Sequence, residues 1–141
     1  MNNIKRSEML LAAADESIAQ AKFSFDRGVW NLTIRRTQEA VELCLAGILA
    51  LMGVHYPKDH DQAPLTLRVL KAHGLGIEEK KAKKIQRISI DLSRKRGPAL
   101  HQEEGHDQTT AQQAIKDAQL VLNLMKKVRC KLLVRMKKNK K

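Results

Sequence analysis

Aromatic residues are scarce: one Trp, one Tyr and two Phe make up 3% of the 141 residues. The apolar content, 43% in all, is therefore mostly Leu, Ile, Ala, Val and Met, which favours helix over sheet. Three prolines and seven glycines leave few places where a helix can break. Two cysteines, Cys44 and Cys130, stand far apart inside helical patterns. Both read as small buried hydrophobes in a reducing compartment, not as a disulfide or a nucleophile. No Cys-x-x-Cys pair is present, so no thiolate metal site is expected. The most apolar run, Val41–Val54, contains Glu42 and is too short to span a bilayer. The first residues, Met-Asn-Asn-Ile-Lys-Arg-Ser-Glu, lack the apolar core of a signal peptide. A soluble, cytoplasmic protein of one domain is expected, with no contact to membrane.

Acidic residues are missing chiefly from one half. Residues 1–70 hold eight Lys/Arg and eight Asp/Glu, whereas residues 71–141 hold nineteen and seven, so the whole net charge of +12 lies in the second half. Such asymmetry points to a polyanionic partner, nucleic acid first. The plainer explanation is a solubilising face plus a lysine tail, and it suits residues 137–141 best.

What is present is helical periodicity. Ile4, Leu11, Ile18 and Phe25 recur every seven residues, with Ala14 and Ala21 between them, predicting a helix from about Ile4 to Asp26 that Gly28 ends. A second helix, Trp30 to Met52, carries Ile34, Val41, Cys44, Ile48 and Leu51 on its inner stripe. Its second half is apolar nearly all round, which marks it as the central helix. After a polar loop comes a short helix from Pro64 to Ala72, with Pro64 in its first turn. A fourth helix should run from Ile77 to Arg94, with Ala82, Ile85, Ile88 and Leu92 inward and Lys80, Lys81, Lys83, Lys84 and Arg87 outward. Gly97-Pro98 should break the chain there. Thr109 and Thr110 each have a Gln three residues on, a capping-box spacing that opens a last helix from Ala111 to Met136. Trp30, Phe23 and Phe25 stand at core spacing, and Tyr56 is the aromatic residue expected to be exposed. The fold class is all-α: an antiparallel, up-and-down bundle of four long helices and one short one over residues 1–136, followed by a disordered tail over 137–141. That topology would bring Lys126, Lys127, Arg129 and Lys131 beside Lys80–Lys84 as one basic surface.

The corner between the last two helices, Ser93-Arg-Lys-Arg-Gly-Pro-Ala-Leu-His101, holds a guanidinium and an imidazole five positions apart. On an unbroken helix five positions turn the chain by about 140°, so the two would face apart unless the Gly-Pro break brings them round. A histidine has the right pKa for proton transfer near neutrality, and an arginine has the fork that fits phosphate oxygens. Arg96 and His101 are thus the candidate catalytic pair, with Arg94, Lys95, Lys80, Lys84 and Arg87 as candidate phosphate or RNA binders. His106 is a weaker candidate for a second proton-transfer group. His60 reads as a loop hydrogen-bonder, and the cluster His55, Asp59, His60 and Asp61 on one loop is not expected to hold a metal.

These features together resemble a known family. Gln38-Glu39-Ala40-Val41-Glu42 resembles the Gln-x-Ala-x-Glu centre of the second helix of HEPN domains (higher eukaryotes and prokaryotes nucleotide-binding). Gly53, Pro57 and His60-Asp61 resemble the family's Gly-x-x-Pro-x-x-His-Asp turn, and Arg96-Gly-Pro-Ala-Leu-His101 resembles the Arg-x4-6-His motif of its active members. Arg94 is an alternative motif arginine. Gly97 stands where active members usually carry Asn, Asp or His, and Glu103 stands where toxins controlled by AMP transfer often have Tyr. The resemblance implies a metal-independent endoribonuclease without cofactor, the toxin of a toxin–antitoxin or defence pair, acting as a homodimer with both motifs in one cleft. It also admits a non-catalytic nucleotide- or RNA-binding module that accompanies a minimal nucleotidyltransferase.

Overall fold

The structure, a computed structural model, describes residues 1–56, 58–100 and 105–139, the side chains of residues 98–100 excepted. Five helices follow in order: α1 (Asn3–Asp26), α2 (Trp30–Leu51), α3 (Ala63–Ala72), α4 (Glu79–Leu100) and α5 (Gln108–Asn139). No strand occurs among the described residues. The expected class, four long helices and one short, is the class observed.

Helix α2 is central. Every residue from Cys44 to Leu51 is buried, and α2 packs against each of the other four helices. Burying an apolar segment on all sides is what its unbroken hydrophobic run requires. Gly47 is a close approach of α1: a methyl group built there would overlap a Leu11 methyl and touch Leu10 and the Ser7 carbonyl at ordinary contact distance. Helices α1 and α4 run one way, α2 and α5 the other. Asp15 pairs with Lys126 and Ser7 accepts a hydrogen bond from Arg129, which sets α1 against α5 antiparallel. Leu11, Ile18, Ile34, Val41, Ile48, Ile85, Leu92, Val121 and Met125 meet in one core.

The termini follow cap chemistry. The Asn2 side chain accepts the Lys5 amide at 2.8 Å to open α1. Gly28 and Gly53 close α1 and α2 at φ of 74° and 69°, a left-handed conformation that glycine adopts without penalty. At α5 the expected threonine cap gives way to Asp107. Its carboxylate accepts the Thr110 amide at 2.8 Å, and this bond is the main reason its pKa lies below the usual carboxylate range. An aspartate at that position carries full charge toward the helix N-terminus, which a hydroxyl cannot match.

Five other expectations are corrected. Helix α4 does not break at Gly97-Pro98; it continues to Leu100. A proline near a helix end forfeits one backbone hydrogen bond. Its clash with the preceding residue falls partly on that residue's Cβ, which Gly97 lacks. Helix α5 runs to Asn139, so Lys137 and Lys138 are helical, not part of a disordered tail; Lys140 and Lys141 lie outside the described residues. Phe23 is 64% exposed. It lies two positions from the core-packed Phe25, about 200° round the helix, and meets the Arg27 guanidinium at 5.6 Å. Tyr56, expected to be exposed, is half-buried under Arg6. Cys44 is buried as expected but Cys130 is exposed.

Candidate functional site

The loop between α2 and α3 is held by the family-like residues of α2. Gln38 is buried on α2, and its Nε2 donates to Glu42 Oε2 at 2.9 Å and to the His60 carbonyl at 3.4 Å. Glu42 in turn meets His60 Nδ1 at 3.2 Å. Four positions along a helix place Gln38 and Glu42 on one face, so both reach the same loop. One residue on, Asp61 accepts a hydrogen bond from Ser89 Oγ, buried in the middle of α4. The Gln62 side chain closes the turn on the Asp59 carbonyl at 2.7 Å. His60 is thus the loop hydrogen-bonder that its position suggested. Among the described residues no cluster of His, Cys, Asp or Glu is arranged to hold a metal ion.

This loop fixes the middle of α4 against α2, and so sets where the later turns of α4 stand. Arg96 lies two turns beyond Ser89. It is half-buried, and its Nε is buried with no hydrogen-bond partner among the described residues. Arg94 is exposed; Lys95 is half-buried and paired with Asp91 at 2.7 Å. His101, the other half of the candidate pair, lies outside the described residues, as does Pro57 of the loop motif. His106 is half-buried: its backbone N–H donates to Asn31 Oδ1 at 3.0 Å, and its Nε2 is buried with no partner among the described residues. This contact joins the start of α2 to the approach to α5, at the same end of the bundle as Arg96. Spacing in the sequence offered no sign of it.

The candidate phosphate binders divide between two places. Arg87 and Arg94 line a cleft of about 490 Å³ between α4 and α5, shared with Asp91, Gln113 and Asp117. Lys95 lines a smaller neighbouring hollow with Thr109, Thr110 and Asp117. Lys80 and Lys84 open instead onto a larger groove of about 810 Å³ nearer the start of α4. Lys84 stands twelve positions from Arg96 along α4, about 18 Å. Lys127 joins that groove, and Lys131 lies beside Lys81 in the adjoining hollow, as the topology suggested. Lys126 and Arg129 do not join them: both turn to α1, where Asp15 and Ser7 hold them.

No described helix is long and apolar enough to cross a membrane. No curated protein matches the chain. Its fold is similar to the crystal structure of an archaeal HEPN homologue, with a TM-score of 0.65 and 19% identity over 86% of this chain and 95% of that one. The HEPN domain family matches residues 7–128, which include α2, its family-like centre, the loop and the Arg96 corner. The chain belongs to the HEPN domain family.

Proposed function

We propose that the chain is a metal-independent endoribonuclease, with Arg96 and His101 as its catalytic residues. The observation that supports this best is the Arg96 guanidinium, whose buried Nε has no partner among the described residues. An unpaired buried donor costs about 1–3 kcal/mol, and the same guanidinium carries further N–H donors that fit a phosphate. In the reaction, the ribose 2′-hydroxyl attacks the neighbouring phosphorus. The bond to the 5′-oxygen breaks, leaving a 2′,3′-cyclic phosphate and a 5′-hydroxyl. His101 takes the 2′ proton or supplies one to the departing oxygen, while Arg96 stabilises the charge on the phosphorane. Arg87 and Arg94 hold flanking phosphates, with Lys95, Lys80 and Lys84 adding to the positive field.

One protomer supplies one such histidine, so the second proton transfer is assigned to His101 of the partner subunit in a homodimer. Exposed apolar residues at the α1–α2 turn, Phe23, Val29 and Leu32, lie at the bundle end that carries Arg96 and support an interface there. The test is cleavage of RNA in EDTA by the purified protein, beside His101→Ala and Arg96→Ala. Cleavage abolished in both variants is expected; intact RNA at excess protein would sink the assignment.

A second reading is supported by Gly97. No described residue lies within 4 Å of where its Cβ would stand, so contact with the described residues does not explain the missing polar side chain. On this reading the chain binds nucleotide or RNA without turnover, alongside a nucleotidyltransferase, as antitoxin or as partner enzyme. Salt-sensitive RNA binding with no product would favour it.

A further inference from the structure

The groove near the start of α4 has a composition that phosphate binding does not explain. Its floor is aliphatic: Ile115, Leu120 and Leu124 of α5, all half-buried. Its rim is cationic: Lys22 of α1, Lys80, Lys81 and Lys84 of α4, and Lys116 and Lys127 of α5, all exposed. Glu78 is the one acidic residue among those that line it. None of the six lysines forms an ion pair with a described residue. Three of them sit in the first turns of α4, where the helix dipole disfavours positive charge. Lys80 and Lys84 are also four positions apart, a repulsive spacing on one face. The fold thus carries like charges at an unfavourable place, around a strip of aliphatic surface left uncovered between α4 and α5.

We infer that this groove receives an acidic amphipathic helix of a partner protein. From Ile115 to Leu124 the floor follows nine positions of α5, about 13.5 Å or two and a half helical turns. A helix laid there packs apolar residues at every third or fourth position onto the floor, and its carboxylates reach the rim. RNA matches the rim alone: no Phe, Tyr or Trp lines the groove to stack a base, and phosphates leave the aliphatic floor in water. A second copy of this chain is a poor occupant, because the half that frames the groove carries all of the +12 charge. The inference is independent of the activity proposed for Arg96 and His101.

The probe is a labelled synthetic helix of about fourteen residues, with Leu at every third or fourth position and Glu between. It is compared by fluorescence anisotropy with a peptide of equal composition whose leucines are scattered. The native protein should bind the amphipathic peptide at least about tenfold more tightly than the scattered one. The double variant Lys81→Glu/Lys127→Glu, at exposed positions that leave the fold intact by circular dichroism, should lose at least about tenfold. Leu124→Asp should lose as much, while Arg94→Ala and His101→Ala should leave peptide binding unchanged. Equal affinity for the two peptides would reduce the groove to charge alone and overturn the inference. So would absence of peptide binding, whether or not single-stranded RNA or anionic vesicles bind in a way the lysine reversals remove.

Discussion

Ser89, buried in the middle of α4, donates its hydroxyl hydrogen to the carboxylate of Asp61 in the loop that follows α2. This bond and the Glu42–His60 contact pin one loop to two helices. The turns of α4 that lead to Arg96 start from that anchor. Ser89→Ala leaves a half-buried carboxylate short of a donor, and should destabilise the protein by about 1–3 kcal/mol. Urea unfolding checks it: the midpoint should fall with the slope unchanged. An unaltered midpoint would mean the bond is dispensable.

Gly97 follows Arg96 within an unbroken helix, with no described residue within 4 Å of where its Cβ would stand. Gly97→Asn meets no described neighbour, but its Cβ restores the clash with the Pro98 ring, which should offset the gain of about 0.3–0.5 kcal/mol in helix propensity and leave α4 no more stable. If the endoribonuclease assignment holds, the added amide should also raise the cleavage rate. A variant that stays folded yet cleaves no faster would count for the binding-module reading.

Asp107 caps α5 as a carboxylate whose pKa is held down by the Thr110 amide. A depressed pKa means a contribution to stability that is complete above the carboxylate's unfolded value and disappears as pH falls through the lower, folded value. Protection of the amides in the first turn of α5, taken against the intrinsic exchange rate at each pH, should therefore fall in acid. Asp107→Asn should show little such pH dependence at that turn. Identical profiles for both proteins would show that the cap does not govern the helix start.

The two cysteines should separate by reactivity. Cys44 is fully buried, with its Sγ donating to the Val41 carbonyl at 3.3 Å, and burial pushes its thiol pKa far upward. Cys130 is exposed on α5. A thiol-reactive chromophore should label one thiol quickly in the native protein and the second only after denaturation. Cys130→Ser should abolish the fast phase. Rapid labelling of two thiols would mean that α2 opens readily.

Apolar periodicity was enough to determine the five helices, their inward stripes and the central place of α2. A period near 3.6 leaves no choice about which face of each helix must be buried. The loop was legible through the resemblance of Gln38, Glu42, His60 and Asp61 to the family's motifs, but not the bonds that join them. What the sequence could not decide rested on contacts between distant segments. Whether Gly97-Pro98 ends α4 depends on how much helix already precedes it. Whether Phe23 is core or surface depends on a rotation of two positions. Lys126 and Lys127 are neighbours in sequence, yet one meets Asp15 of α1 and the other faces the groove beside α4. The corner from Ser93 to His101 divides in the same way. Its residues were legible as phosphate and proton chemistry from their types alone. The tertiary structure decided that Arg96 is half-buried on a continuous helix, and that the densest lysines gather about 18 Å away around aliphatic surface. Side-chain chemistry is local and can be read from a chain. Which charges share one surface is set by helices packing side by side, and only the folded molecule determines it.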